Sequence, residues 1–294
     1  MKKVYLSDSG PKVSEAIYSF YRWDGDKSVN SLEVEKIVNL CLELGINTFD
    51  HADYYGNYSC EEVFGDLIKA KRVKREELVL FTKCGLRVPH ASQSGIRTFH
   101  VDTSAARLRQ SVDESLRKLN TDYIDIFLLD HLDPISNLEE TALTLEQLLK
   151  VGKIRAIGVA NFSVFQHQAL SAQLQSKIVT HHLELNLLNT TALDNGQMDY
   201  IKQNYMRPLA SAPVAAGRIA AGNDPAAVRL REKLKTYAAK YDKDVESIAV
   251  AWLIKLGALP LIGTKEEQRI RNIVQAFDIE LDHQDWYDIY WATV

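Results

Sequence analysis

Strand-like and helical segments alternate along nearly the whole chain, and this alternation is the strongest constraint on what it can fold into. Eight short apolar runs read as strands: Ala16–Phe20, Asn47–Asp50, Leu78–Cys84, Tyr123–Asp130, Ala156–Asn161, His181–Asn186, Arg207–Pro213 and Leu259–Thr264. Amphipathic helical stretches separate them: Ser31–Leu44, Cys60–Lys69, Asp102–Leu119, Asn137–Val151, Val164–Leu174 and Thr190–Asn204. Ala226–Ala239 and Val245–Lys255 precede the last strand, and Gln268–Phe277 follows it. Ser31, the triplet Asp102-Thr103-Ser104 and Ser163 suit helix N-termini. Parallel strands need a crossover, usually a helix, so this order points to a parallel sheet. Ile124-Asp125-Ile126-Phe127-Leu128-Leu129 is nearly continuous in apolar residues, as a strand buried on both faces is. A count of eight favours a closed barrel over an open doubly wound sheet, and no G-x-G-x-x-G follows the first strand. The expected architecture is a (β/α)8 TIM barrel, one domain over 1–294, with an N-terminal β-hairpin around Ser9-Gly10-Pro11.

Polar side chains gather where the strands end, the face on which such barrels carry chemistry. Gly45 stops a helix, Ile46 to Phe49 favour a strand, and Asp50 stands at its tip. His51, Asp53, Tyr54 and Tyr55 follow before Gly56 turns the chain. Lys83 closes the third strand, Asp130 and His131 the fourth, Asn161 the fifth and Thr264 the eighth, while His181 and His182 open the sixth. Adjacent strand residues face opposite ways, so at most one of that histidine pair looks into the barrel. A buried Lys beside an Asp stays charged and lowers the pKa of a neighbouring tyrosine, making the phenol a usable acid. Taken alone, Asp50 and Lys83 read equally as a structural ion pair, and Tyr55 as an exposed aromatic.

Composition removes several classes of function. The 294 residues carry a formal net charge of −4, which gives no electrostatic footprint for nucleic acid or an anionic membrane. M-K-K-V-Y-L-S-D-S-G lacks the apolar core of a signal peptide, and no apolar run is long enough to span a bilayer. Cys41, Cys60 and Cys84 have no paired spacing and read as reduced thiols, so the expected location is cytoplasmic.

Five segments in order resemble the aldo-keto reductases over essentially the whole chain. They are F-D-H-A-D-Y-Y-G from Phe49, F-T-K-C-G from Phe81, S-L-R-K-L-N-T-D-Y-I-D from Ser115, G-K-I-R-A-I-G-V-A-N-F from Gly152 and L-P-L-I-G-T-K-E-E-Q-R-I from Leu259. The resemblance implies a reductase of small carbonyl compounds using NADPH/NADP+, with no metal and more often monomeric than not. Tyr55 would protonate the carbonyl oxygen, Lys83 would depress its pKa, and Asp50 would pair with Lys83. Asn161 would hold the nicotinamide carboxamide, with His182 and Ser211 beside the ring. Ala215, Ala216 and Gly217 with Arg218 would cover the pyrophosphate, and Thr264 and Arg269 would bind the 2′-phosphate.

Four positions depart from the family pattern. Asp130 occupies the slot of a substrate-orienting His, and alternation keeps His131 from replacing it without a bulge. A protonated Asp130 would donate to the carbonyl oxygen. Ala160 replaces a Ser, His182 a Gln, and Ser211 the aromatic ring that stacks on the nicotinamide. Two rival functions follow. One is an NADPH-binding regulatory protein with little turnover; the other is a metal-dependent hydrolase using Asp50, Asp53, His131 or His182.

Overall fold

A computed structural model of the chain describes residues 1–23 and 29–293. The strands, in chain order, are β1 (Lys3–Tyr5), β2 (Lys12–Ser14), β3 (Ile17–Ser19), β4 (Thr48–Asp50), β5 (Val79–Cys84), β6 (Leu86–Arg87), β7 (His100–Val101), β8 (Ile126–Asp130), β9 (Ile157–Ala160), β10 (Ile178–Glu184), β11 (Arg207–Ser211) and β12 (Leu259–Ile262). Among the described residues, eight of them close a parallel barrel in the order β3-β4-β5-β8-β9-β10-β11-β12. β1 and β2 pair antiparallel, Val4 opposite Val13, as the expected N-terminal hairpin. Leu6 and Val13 are buried with the barrel residues Phe81, Leu128, Leu209 and Leu261. The backbone N–H of Arg207, where β11 begins, donates to Leu6 O at 2.7 Å. The hairpin therefore plugs the end where strands start, leaving the opposite mouth for the site.

Alternation along the strands decides what stands at that mouth. Phe81 pairs with Ile126 and Lys83 with Leu128, and Phe81, Ile126 and Leu128 belong to one inner cluster. Lys83 and Asp130, two residues further along, therefore stand above that apolar layer. β10 departs from the plain pattern, because its register against β9 shifts between Ile178 and His181. That irregularity lets Val179 join the inner cluster while His182, three residues on, lines the mouth.

The helices pack around the barrel through their apolar faces, and some approaches are close enough to specify a residue. A Cβ on Gly65 would come within 1.9 Å of Lys118 O, so only Gly lets helix Cys60–Lys69 cross the end of helix Ala105–Lys118. Gly85 plays the same part at the site: its φ is +141° and a Cβ there would lie 2.1 Å from Asp130 O.

Several boundaries differ from those read off the sequence, each for a visible reason. β10 begins at Ile178, so His181 and His182 lie inside it rather than opening it. Thr264 lies two residues beyond β12. The stretch read as one helix over Thr190–Asn204 is two, Thr191–Asp194 and Gln197–Gln203, broken at Gly196 with φ +82°. Asn30, not Ser31, caps the first long helix, its side chain accepting from Leu32 N at 2.9 Å and Glu33 N at 3.2 Å. A further helix, His283–Trp291, was not read from the sequence; Trp286 and Tyr290 stack on Trp252. No described helix is long and apolar enough to cross a membrane.

Candidate active site

The open mouth is a cleft of about 760 Å³. Its centre is built on β3, β4 and β5. Ser19 and Asp50 are register partners, and Ser19 Oγ donates to Asp50 Oδ2 at 2.7 Å. Lys83 Nζ donates to Asp50 Oδ1 at 2.5 Å and to His51 O at 2.8 Å. Lys83 is 1% and Asp50 0% exposed, so neither charge has bulk water to stabilise it and each depends on these bonds. Lys83 Nζ also stands 4.7 Å from the centroid of the Tyr55 ring.

Tyr55 opens a tight turn, Tyr55–Tyr58, in which Gly56, Asn57 and Tyr58 all have positive φ. It is 2% exposed, with Tyr54 edge-on at 5.0 Å and Tyr21 at 5.4 Å. Burial, then the Asp50 carboxylate, raise the Tyr55 phenol well above its ordinary pKa. Lys83, expected to depress this phenol, stands over the ring face, and burial with the Asp50 carboxylate sets the net direction upward. The loop is tied down from behind. Asp53 N donates to Lys83 O at 3.0 Å, and the Asp53 carboxylate accepts from Arg107 Nη2 and from Ser111 Oγ at 3.1 Å.

Asp130 and His131 differ most from expectation. The chain leaves β8 through a left-handed His131, φ +64°, so strand alternation stops there. The ring folds back, and its Nδ1 lies 2.9 Å from Asp130 Oδ1. Asn161 Nδ2 donates to the same oxygen at 2.8 Å, and Tyr54 OH lies 3.4 Å from Oδ2. Burial alone would raise Asp130, but the bond from His131, the nearby Lys83 and Asn161 outweigh it and hold the carboxyl below its usual range. The hydrogen bond to Asp130 raises His131, against its partial burial. Asp130 is thus held as an acceptor for His131 and Asn161, which disfavours the protonated donor considered from the sequence, and His131, raised by the same bond, lines the cleft.

On the far wall, His182 lines the cleft and is neutral: burial and then the Lys83 charge push it down to about 4. Its Nδ1 is buried without a partner among the described residues. His181 points the other way, 5.3 Å from the His167 ring. Ser211, Ala216, Gly217, Thr264 and Arg269 also line the cleft. Ala215 does not and is buried in the core. Nor does Arg218, which turns to Asp224 at 3.1 Å. Ala215 N and Gly217 N are spent within the turn, on Ala212 O at 2.7 Å and Val214 O at 3.0 Å. Arg269 is held by Glu246 through Nε at 2.9 Å and Nη2 at 2.5 Å, so it cannot present a free guanidinium fork. Lys265, quoted in the sequence segment but given no role there, lines the cleft beside it, 4.3 Å over the Trp23 ring. Arg22, also missed, lines the cleft and spans to Ala216 O at 3.1 Å. Cys84 is fully buried and its thiol is pushed up by burial, as suits a packing residue and not a nucleophile. Among the described residues no group of three or more His, Cys, Asp or Glu is placed to hold a metal.

A closed parallel barrel with a buried Asp–Lys pair under a tyrosine at its C-terminal mouth defines a class. The sequence model of the aldo/keto reductase family matches residues 20–290, and the chain belongs to that family. It is 31% identical to the 6-dehydroglucose reductase of Agrobacterium fabrum over 100% of this chain and 98% of that protein. It is 30% identical to the uncharacterized oxidoreductase YcsN of Bacillus subtilis, over 100% and 98%. Among solved structures, an aldo-keto reductase from Bacillus halodurans superposes with a TM-score of 0.85 at 24% identity, over 99% of this chain and 96% of that one. The glycerol dehydrogenase of Gluconobacter oxydans superposes with a TM-score of 0.85 at 22% identity, over 99% and 94%.

Proposed function

We propose that the chain is an NADPH-dependent oxidoreductase that reduces aldehydes and ketones to alcohols. The observation that carries this reading is the buried chain Ser19–Asp50–Lys83 beneath the Tyr55 ring. A bound NADPH would supply the hydride.

The residues of the cleft fit such a cofactor. The orphaned Nδ1 of His182 offers a polar contact to a carboxamide, and Asn161 keeps its Oδ1 for the same group while its Nδ2 holds Asp130. The Arg22 guanidinium, which reaches Ala216 O at the cleft wall, suits a pyrophosphate. Thr264, Lys265 and the remaining nitrogen of Arg269 suit a 2′-phosphate, with the Lys265 ammonium as the main charge. Tyr55 then donates its proton to the carbonyl oxygen as negative charge develops there. Lys83 and Asp50 keep the ring in place without exposing a charge to water.

The cofactor half of this reading is testable by tryptophan fluorescence. Trp23 Nε1 donates to Tyr18 OH at 3.2 Å, which donates to Thr264 O at 3.2 Å, and Lys265 covers its ring. Filling the phosphate site should quench Trp23. NADPH is expected to bind at least about tenfold more tightly than NADH, a difference of about 1.4 kcal/mol. Equal affinities would remove the 2′-phosphate assignment, and no binding at millimolar cofactor would remove the whole reading.

A further inference from the structure

An ionised carboxylate beside a reacting carbonyl is an unfavourable neighbour, because negative charge grows on the oxygen as it is reduced. Asp130 is such a group here. Its side chain is 3% exposed and it lines the cleft. One oxygen, Oδ1, is used by His131 and Asn161, whereas among the described residues Oδ2 has only the long 3.4 Å contact from Tyr54 OH. A carboxylate offers about four lone-pair directions, so Oδ2 has unused accepting capacity in a nearly water-free place. Tyr54 precedes Tyr55, with the two rings 5.0 Å apart, so that capacity lies close to the proposed proton donor.

His131 adds the complementary group. Its backbone is left-handed, a conformation that His adopts more readily than most residues, and its Nδ1 is turned onto Asp130. The other ring nitrogen, Nε2, has no protein partner among the described residues, and the side chain is 43% exposed on the cleft wall. The pair therefore presents a buried carboxylate oxygen and, whenever the ring is protonated, an imidazolium N–H side by side. A hydroxyl group satisfies both at once, giving its proton to one and accepting from the other.

We propose that Asp130 and His131 read a hydroxyl group next to the reacting carbonyl, making α-hydroxy and polyhydroxylated aldehydes and ketones the preferred substrates. Asp130 Oδ2 accepts the hydroxyl proton and His131 Nε2–H donates to an oxygen of the same substrate. This rests on the reading that Tyr55 protonates the carbonyl oxygen. A plain aldehyde would meet the carboxylate without a hydrogen atom to offer it, leaving a buried acceptor unpaired, which is how polar sites reject analogues lacking a hydroxyl.

The experiment compares kcat/KM for glyceraldehyde and propanal in the wild type and in Asp130→Asn, which keeps the shape and removes the charge. The wild type should prefer glyceraldehyde by about 10–100-fold, the range of a charge-assisted hydrogen bond. In Asp130→Asn the glyceraldehyde-to-propanal ratio should collapse to a few-fold, whatever the two absolute rates become, because a neutral amide is the weaker acceptor for the hydroxyl. Equal turnover by the wild type, or a preference that survives Asp130→Asn, overturns the proposal. A second arm needs no catalysis: nitrogen-15 NMR of the histidine rings, titrated with glycerol or propan-1-ol. Glycerol should move the His131 signals and propan-1-ol should leave them. A protein that reduces nothing yet shows this shift keeps the hydroxyl reader and loses the reductase reading. Absence of the shift removes the reader whatever the turnover.

Discussion

Replacing Tyr55 by Phe is expected to lower kcat for carbonyl reduction by about 10²–10⁴-fold while leaving NADPH affinity nearly unchanged. The substitution removes one hydroxyl and keeps a ring that packs against Tyr21 and Tyr54 and carries Lys83 on its face. Structure and cofactor site should therefore survive. What is lost is the group that protonates the developing alkoxide. Burial and the Asp50 carboxylate raise the phenol well above its ordinary value, so Tyr55 remains protonated across the physiological range. Its own titration should leave the rate of reduction flat there. Any decline as pH rises then belongs to a group with a lower pKa, and His131, raised above its ordinary value by Asp130, lines the cleft. Steady-state assays of both proteins with one aldehyde, alongside cofactor titrations, make the check. A kcat within threefold of wild type would take the proton-donor role away from Tyr55.

Arg107→Met should destabilise the fold by about 3–5 kcal/mol at pH 8, the usual cost of leaving one member of a buried ion pair alone. Arg107 and Asp53 are each 4% exposed, and Arg107 Nη2 donates to Asp53 Oδ2. Burial lifts Asp53 to about 6 even though Arg107 pulls it down. Without the guanidinium it rises further. A carboxyl whose folded pKa is raised favours the folded state below its unfolded pKa and penalises it as pH climbs through the folded one. The loss should therefore be largest at pH 8 and shrink toward pH 4–5. Urea midpoints at both pH values measure it. Adding Asp53→Asn should restore part of the stability at pH 8 and little at low pH. Because Asp53 N is bonded to Lys83 O, the single variant should also lower kcat. A destabilisation below about 1 kcal/mol at pH 8 would mean the pair is not what holds this loop.

How much of this was legible depended on how local each cause is. The barrel was, because a strand covered on both faces writes itself as a run such as Ile126 to Leu129, and helices of known length lie between such runs. The N-terminal hairpin was, through Ser9-Gly10-Pro11. The break at Gly196 left a mark in the sequence that helical periodicity on both sides concealed. The last helix was hidden because W-Y-D-I-Y-W is aromatic enough to read as strand, and only packing of Trp286 and Tyr290 on Trp252 explains it. Within the site, Asp50 and Lys83 stand out as charges at strand ends. Ser19 does not, since a Ser at a strand end is ordinary until its register partner turns out to be Asp50. Alternation could say only that His131 reaches the mouth through a backbone irregularity; where that irregularity falls, at φ +64°, has no local signature. The pairing of Arg269 with Glu246 joins residues on different helices and has no local signature.

Hydride transfer to a carbonyl carbon, with Tyr55 supplying the proton, is the central claim, and isotope transfer tests it most directly. Glyceraldehyde would be incubated with purified protein and NADPH deuterated at the transferable C4 position, and the product analysed by mass spectrometry. The account predicts glycerol carrying one deuterium on the former carbonyl carbon, formed one-for-one with oxidised cofactor and strongly reduced in Tyr55→Phe. Unlabelled product, or cofactor that stays reduced with this and every other carbonyl compound while remaining bound, would contradict it.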